Sequence, residues 1–248
     1  MNESTPPESL YGNVPVAPVA KAPTLLEQVV AVFTEPEALF KRLEATPVWG
    51  GALVLMTVLN TVVSVLWARK VDVDAMLRPM MEANPKIPAE SIDNIIAMQG
   101  KMILPFSVLG GLLGLAIVSL VMALVYWVIS SWTAEGRKPS YRQAFSATVV
   151  SGLVATPKFV LLGIICALKN IGGAKPDALS PTSLGFYLAP DSVKLHAFFN
   201  TMDLFTFASL FILFLAARHT MRLKVSGAAL CVAVSALLMI ALPVLGAR

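Results

Sequence analysis

Ala144 to Leu168 reads AFSATVVSGLVATPKFVLLGIICAL, with Pro157 and Lys158 at its centre. A bilayer core takes roughly 20 consecutive apolar residues to cross, and this run is long enough. Proline removes a backbone donor and clashes with the carbonyl four residues earlier, so a kink is expected near Thr156. A lysine at mid-membrane costs about 3 kcal/mol on insertion scales. Lys158 should therefore face protein or water and not lipid, which requires neighbouring helices.

Composition supplies those neighbours. Hydrophobic residues make up 56% of the 248 and charged residues 14%, where soluble domains average about 25% charged. Mean hydropathy is +0.74. Four further apolar runs cover about 47–67, 103–132, 198–217 and 225–245. The expected fold is all-α: a polytopic membrane bundle of five transmembrane helices, with short amphipathic helices outside the bilayer. The membrane domain is placed at 47–248, its third span at 144–168. The net charge of +4 reads as loop cations beside anionic lipid, and no nucleic-acid partner is expected.

Residues 1–23 carry Pro6, Pro7, Pro15, Pro18 and Pro23 and few large apolar side chains, which predicts a disordered tail. Over 24–46, Thr24-xx-Glu27 and Thr34-xx-Glu37 have capping-box spacing. Leu25, Leu26, Val29, Val30, Phe33, Leu39, Phe40 and Leu43 recur at helical intervals. Two short amphipathic helices follow, either lying on the membrane surface or packing on the end of the bundle. Thr46 and Pro47 read as the N-cap and first residue of the first span. Asp72 or Asp74 caps a helix in the long 71–101 loop, and Pro88 starts another that runs toward the second span. Gly110 and Gly114 form a GxxxG, with Ser107 and Gly111 one residue out of phase; small residues at this spacing let helices approach closely, within the chain or between two copies.

Short loops beside the spans carry the orientation signal. Arg137, Lys138 and Arg142, then Arg218, Arg222 and Lys224, crowd two short turns, whereas the opposite loops are long and carry most of the acids. The N-terminus is therefore expected on the cytoplasmic side of a multi-pass membrane protein.

No HExxH, GxSxG or Walker-type motif occurs, so no catalytic residue, cofactor or metal ligand is expected. Cys166 and Cys231 lie inside apolar runs and read as small hydrophobes. The intramembrane polar pair to consider is Lys158 with Asp203, placed about two turns into the fourth span. It is either an ion pair that sets helix register or a polar path for an ion or lipid headgroup.

Three stretches carry a family resemblance: Phe33-xx-Pro36-xxx-Phe40, then Gly136…Ser140-Tyr141-Arg142-Gln143-Ala144 leading to Thr156-Pro157, then Met202-Asp203-Leu204-Phe205. In this order and spacing the chain resembles the Yip-domain family, five-span membrane proteins named for interacting with Ypt/Rab GTPases, and its bacterial branch in particular. The resemblance implies a cytosolic N-terminus, an all-helical bundle and a non-enzymatic scaffold or adaptor that organises membrane or partner proteins. The Asp-Leu-Tyr-Gly-Pro signature of eukaryotic members is absent, because Leu10-Tyr11-Gly12 is followed by Asn13, so GTPase binding is not carried over. Expected partners are the lipid bilayer, a membrane or cytosolic protein, and a possible second copy of the chain. The alternative function is a small transporter or channel subunit using the Lys158–Asp203 region.

Overall fold

The computed structural model describes residues 21–188, 190 and 192–246. Residues 1–20, which hold most of the expected tail and the Leu10–Asn13 segment, lie outside the described residues. The described residues form an all-α bundle, with two isolated β-bridges and no strand.

Helix α1 (Leu25–Thr34) opens with the expected capping box: the Thr24 hydroxyl accepts from the Glu27 amide, and the Glu27 carboxylate accepts from Thr24 N–H. The second capping box does not form. Glu35 precedes α2 (Pro36–Ala45) without a side-chain cap, and the Thr34 hydroxyl donates back to Val30 O at 3.1 Å, a competing bond available to any helical threonine. Leu39, Phe40 and Leu43 of α2 are fully buried, each contributing roughly 1.5–3 kcal/mol relative to exposure in water. The α1–α2 hairpin therefore packs into the end of the bundle. Helix α1 also keeps Leu26, Val30 and Phe33 exposed on one side, a stripe at i, i+4 and i+7 that suits lipid.

Helix α3 (Gly50–Lys70) starts three residues later than Pro47. The reason is local: Thr46 ends α2, its hydroxyl donating to Arg42 O at 3.0 Å. Helix α4 (Val73–Glu82) is capped by Asp72. Helix α5 (Ala89–Thr133) is one continuous helix of 45 residues, roughly 67 Å long at 1.5 Å per residue. It exceeds the bilayer core about twofold, and its first turns pack on α4 through Leu77, Met81, Ile92 and Ile96.

The third crossing is broken. Helix α6 (Tyr141–Gly152) gives way to a 3-10 turn over Leu153–Ala155, then to α7 (Thr156–Leu168). Pro157 occupies the first turn of α7, where its missing N–H costs nothing. Helix α8 (Val193–Thr201) follows the long loop, and α9 (Leu204–His219) and α10 (Val225–Gly246) complete the bundle. The stretch expected as one span over 198–217 is therefore not one helix: the chain breaks at Met202–Asp203. Among the described residues, four helical stretches are long and apolar enough to cross a membrane. Helix α9 has 16 residues, about 24 Å, somewhat short of the roughly 30 Å core.

Lipid is as apolar as leucine, so helices in a bilayer are held together by close approach and polar contacts. Within this chain, Gly110 and Gly114 are not the small residues that meet a neighbouring helix. A Cβ at Gly110 or Gly114 would meet nothing within 4 Å, whereas at Gly111 it would lie 2.8 Å from Thr61 Cα on α3. The buried row of α5 runs through Gly111, Ser119, Ala123, Tyr126 and Ser130. Gly110 is one residue, about 100° of helix, away from that row. Tyr126 and Ser235 hydrogen-bond through their hydroxyls and tie α5 to α10.

Candidate functional site

Asp203 is fully buried. It is not two turns inside a helix, as the sequence suggested, but the N-cap of α9. Its Oδ1 accepts from Phe205 N at 2.8 Å. An aspartate before an apolar run is a strong cap because it satisfies an amide that the helix leaves without a partner.

The other carboxylate oxygen collects three donors. Ser180 Oγ lies 2.8 Å from Asp203 Oδ2, Thr182 Oγ1 lies 2.7 Å away, and Lys158 Nζ lies 3.2 Å away. Lys158 comes from the first turn of α7, ten residues before the helix ends at Leu168 and so about 15 Å from that end. The ammonium is one quarter exposed on its side chain while Asp203 has no exposure. The structure thus brings Lys158 and Asp203 together. It leaves Gly110 and Gly114 elsewhere, open on the bundle surface.

Irregular backbone at membrane depth is tolerated only where protein satisfies its polar groups. The loop before α8 meets that condition. Leu184 N donates to Met202 O at 3.0 Å, Leu204 N to Thr182 O at 3.2 Å, and Ser183 N to Ser180 O at 3.1 Å. Ser183 and Asp203 form an isolated antiparallel bridge. This loop stands over the N-terminal end of α9, and Asp203 holds it there.

Ser180 and Thr182 were not legible as site residues. They lie 23 and 21 positions before Asp203, and only the Ser180-Pro181-Thr182-Ser183 cluster of hydroxyls hints at a polar loop. Two hydroxyls and the ammonium thus converge on Oδ2, and one backbone amide on Oδ1. Among the described residues, no group of three or more His, Cys, Asp or Glu side chains is placed to hold a metal ion. Cys166 and Cys231 are both buried and unpaired.

A comparison with protein-family models finds the Yip1 domain over residues 30–246, nearly the whole chain. No curated protein and no solved structure matches the chain. The matched region contains the broken third crossing, the Met202–Asp203 break and the second half of α1.

Proposed function

The chain belongs to the Yip1-domain family, and from that premise we propose that it is an integral membrane scaffold or adaptor that works by binding, without catalysis. The observation that supports this reading is the closure of its polar membrane site. Asp203 has four donors from its own chain, so the Lys158–Asp203 pair acts as a fastening between the third crossing, the outer loop and α9. A transport path would need polar groups that exchange partners with a passing solute. The N-terminus faces the cytoplasm of a bacterial inner membrane, because the short basic turns lie on the side of α1 and α2.

The test is reconstitution into liposomes with flux measured for monovalent cations, protons and small anions. The scaffold reading expects rates equal to those of protein-free liposomes. A flux above that level that Lys158→Met abolishes would overturn it in favour of a transporter. A photo-crosslinker at exposed Leu26 on α1 should in parallel trap one recurrent membrane neighbour in cells.

A further inference from the structure

Where α2, the start of α6 and the α9–α10 turn meet, there is a cavity of about 500 Å³. Arg137, Lys138, Arg142 and Arg222 line it against a single acid, Glu44. That acid is already engaged, with Arg222 Nε 2.5 Å from Glu44 Oε1. Among the described residues, Arg137, Lys138 and Arg142 form no ion pair. The neighbouring cations Lys41 and Arg42 do have partners, in Glu37 and Glu27. Three cations without an acidic partner thus meet in this one cavity; Lys21 and Lys224, at the same end, also form no ion pair among the described residues but do not line it.

Arg222 has a φ of 51°, in the left-handed region that side-chain sterics disfavour. The surrounding chain holds it there: Glu135 N donates to Arg222 O at 2.8 Å, and Lys224 N to Thr133 O at 2.9 Å. Such conformations persist where neighbouring structure over-determines them, often at binding sites.

Beside the cavity runs a second space of about 560 Å³, an apolar groove walled by the start of α3, by α5 and by the start of α6. Trp49, Leu53, Ala116, Leu120 and Phe145 line it, and Arg142 belongs to both spaces. Tyr141 marks the boundary, its hydroxyl donating to Leu120 O at 3.0 Å. Trp127 Nε1 donates to Pro139 O at 3.1 Å nearby, the interfacial placement that suits an indole.

We propose that this cavity and groove together bind one anionic glycerophospholipid from the leaflet on the α1–α2 side. The phosphate and its charged headgroup sit among Arg137, Lys138 and Arg142, and one acyl chain lies along the groove. Three cations without a counter-ion select a headgroup with net negative charge over a zwitterionic one. A soluble phosphate ester would use the cavity but gain nothing from the groove. The inference is independent of whether the protein is a scaffold or a transporter.

The experiment uses the full chain in detergent micelles doped with defined lipids, with binding read by native mass spectrometry. Tryptophan quenching by a phosphatidylglycerol brominated on its acyl chains is read in parallel, in a variant retaining only Trp49. Phosphatidylglycerol should bind at least tenfold more tightly than phosphatidylcholine and should quench Trp49. The variant Arg137→Gln/Lys138→Gln/Arg142→Gln should bind it roughly 100-fold more weakly, from the typical contribution of each basic residue near an anionic surface. A charge-matched control, Lys86→Gln/Lys101→Gln/Lys194→Gln, changes exposed lysines away from the cavity and should bind normally. Ala116→Phe fills the groove without touching charge and should weaken the dioleoyl lipid several-fold. Equal binding of both lipids, or equal losses in the two triple variants, would overturn the site. Competition by glycerol phosphate at the concentration where the lipid binds would replace the lipid with a soluble anion and overturn the groove's part. If the cavity variant does not remain monodisperse, the quenching preference and the competition in the Trp49 variant decide alone.

Discussion

Replacing Asp203 with leucine removes the acceptor for Ser180, Thr182, Phe205 N–H and Lys158 in one step. Breaking a buried pair by deleting one partner costs about 3–5 kcal/mol, and the lost helix cap adds about 1. Lys158→Met should cost less, about 2 kcal/mol, because the stranded carboxylate keeps three hydrogen bonds and the lysine is partly exposed. The two changes share a contact, so they should couple by about 2 kcal/mol, which places the double variant near Asp203→Leu alone. Full recovery is not expected, since Ser180, Thr182 and Phe205 N–H still lack their acceptor. A protein of this size loses about 2–4 °C of melting temperature per kcal/mol, so Asp203→Leu, at about 4–6 kcal/mol, should melt roughly 8–24 °C lower. Melts of wild type, both singles and the double in one detergent complete the cycle. Additive losses, or a Lys158→Met variant weaker than Asp203→Leu, would refute the account of Asp203 as the hub of this site.

Gly111→Ala should destabilise by about 1–3 kcal/mol, because the new Cβ meets Thr61 backbone at 2.8 Å; Gly110→Ala and Gly114→Ala should leave the melt within about 0.5 kcal/mol. Phe40→Ala should cost about 3–5 kcal/mol in the same assay, since Phe40 is completely buried at the bundle end. Outside the membrane, Arg78 bridges Asp74 and Asp93 and holds Asp74 below its usual value of 3.8. A lowered folded-state value means that this contribution is present above pH 3.8 and is lost as pH falls through the still lower folded value. A spin label at Glu82 should therefore stay immobile down to pH 4 and gain mobility only in stronger acid. For orientation, Arg137→Cys should react with a membrane-impermeant maleimide only from the cytoplasmic side, and Glu82→Cys only from outside; the reverse pattern would invert the topology.

Periodicity and composition were enough for the all-helical membrane class, because a bilayer admits so few backbone solutions. The Asp72 and Thr24 caps were legible for a similar reason: each is a contact within four residues. The same rule misled at Thr34 and Thr46, where a back-bond to the preceding turn won over the cap. Pro157 announced an interruption but not its form, a 3-10 turn beginning four residues earlier. Apolar continuity hid the break before α9, because Phe198, Phe199 and Met202 look like span while Asp203 looks like an intruder in it. The cap itself is a local bond from Phe205 N, but the partners of the other oxygen, Ser180 and Thr182, come from a loop some 20 residues upstream that folds back. Likewise, the small residue that meets α3 is Gly111 and not its GxxxG neighbours, because 100° of helix rotation separates them and only the partner helix selects the face. Local hydrogen bonds and the membrane's demand for satisfied backbone act over one turn or one span, and the sequence determined those. Pairings between segments 51 to 180 residues apart, such as Asn60 with Gly111 O and Thr220 with Phe40 O, depend on how whole helices pack, and only the tertiary structure decided them.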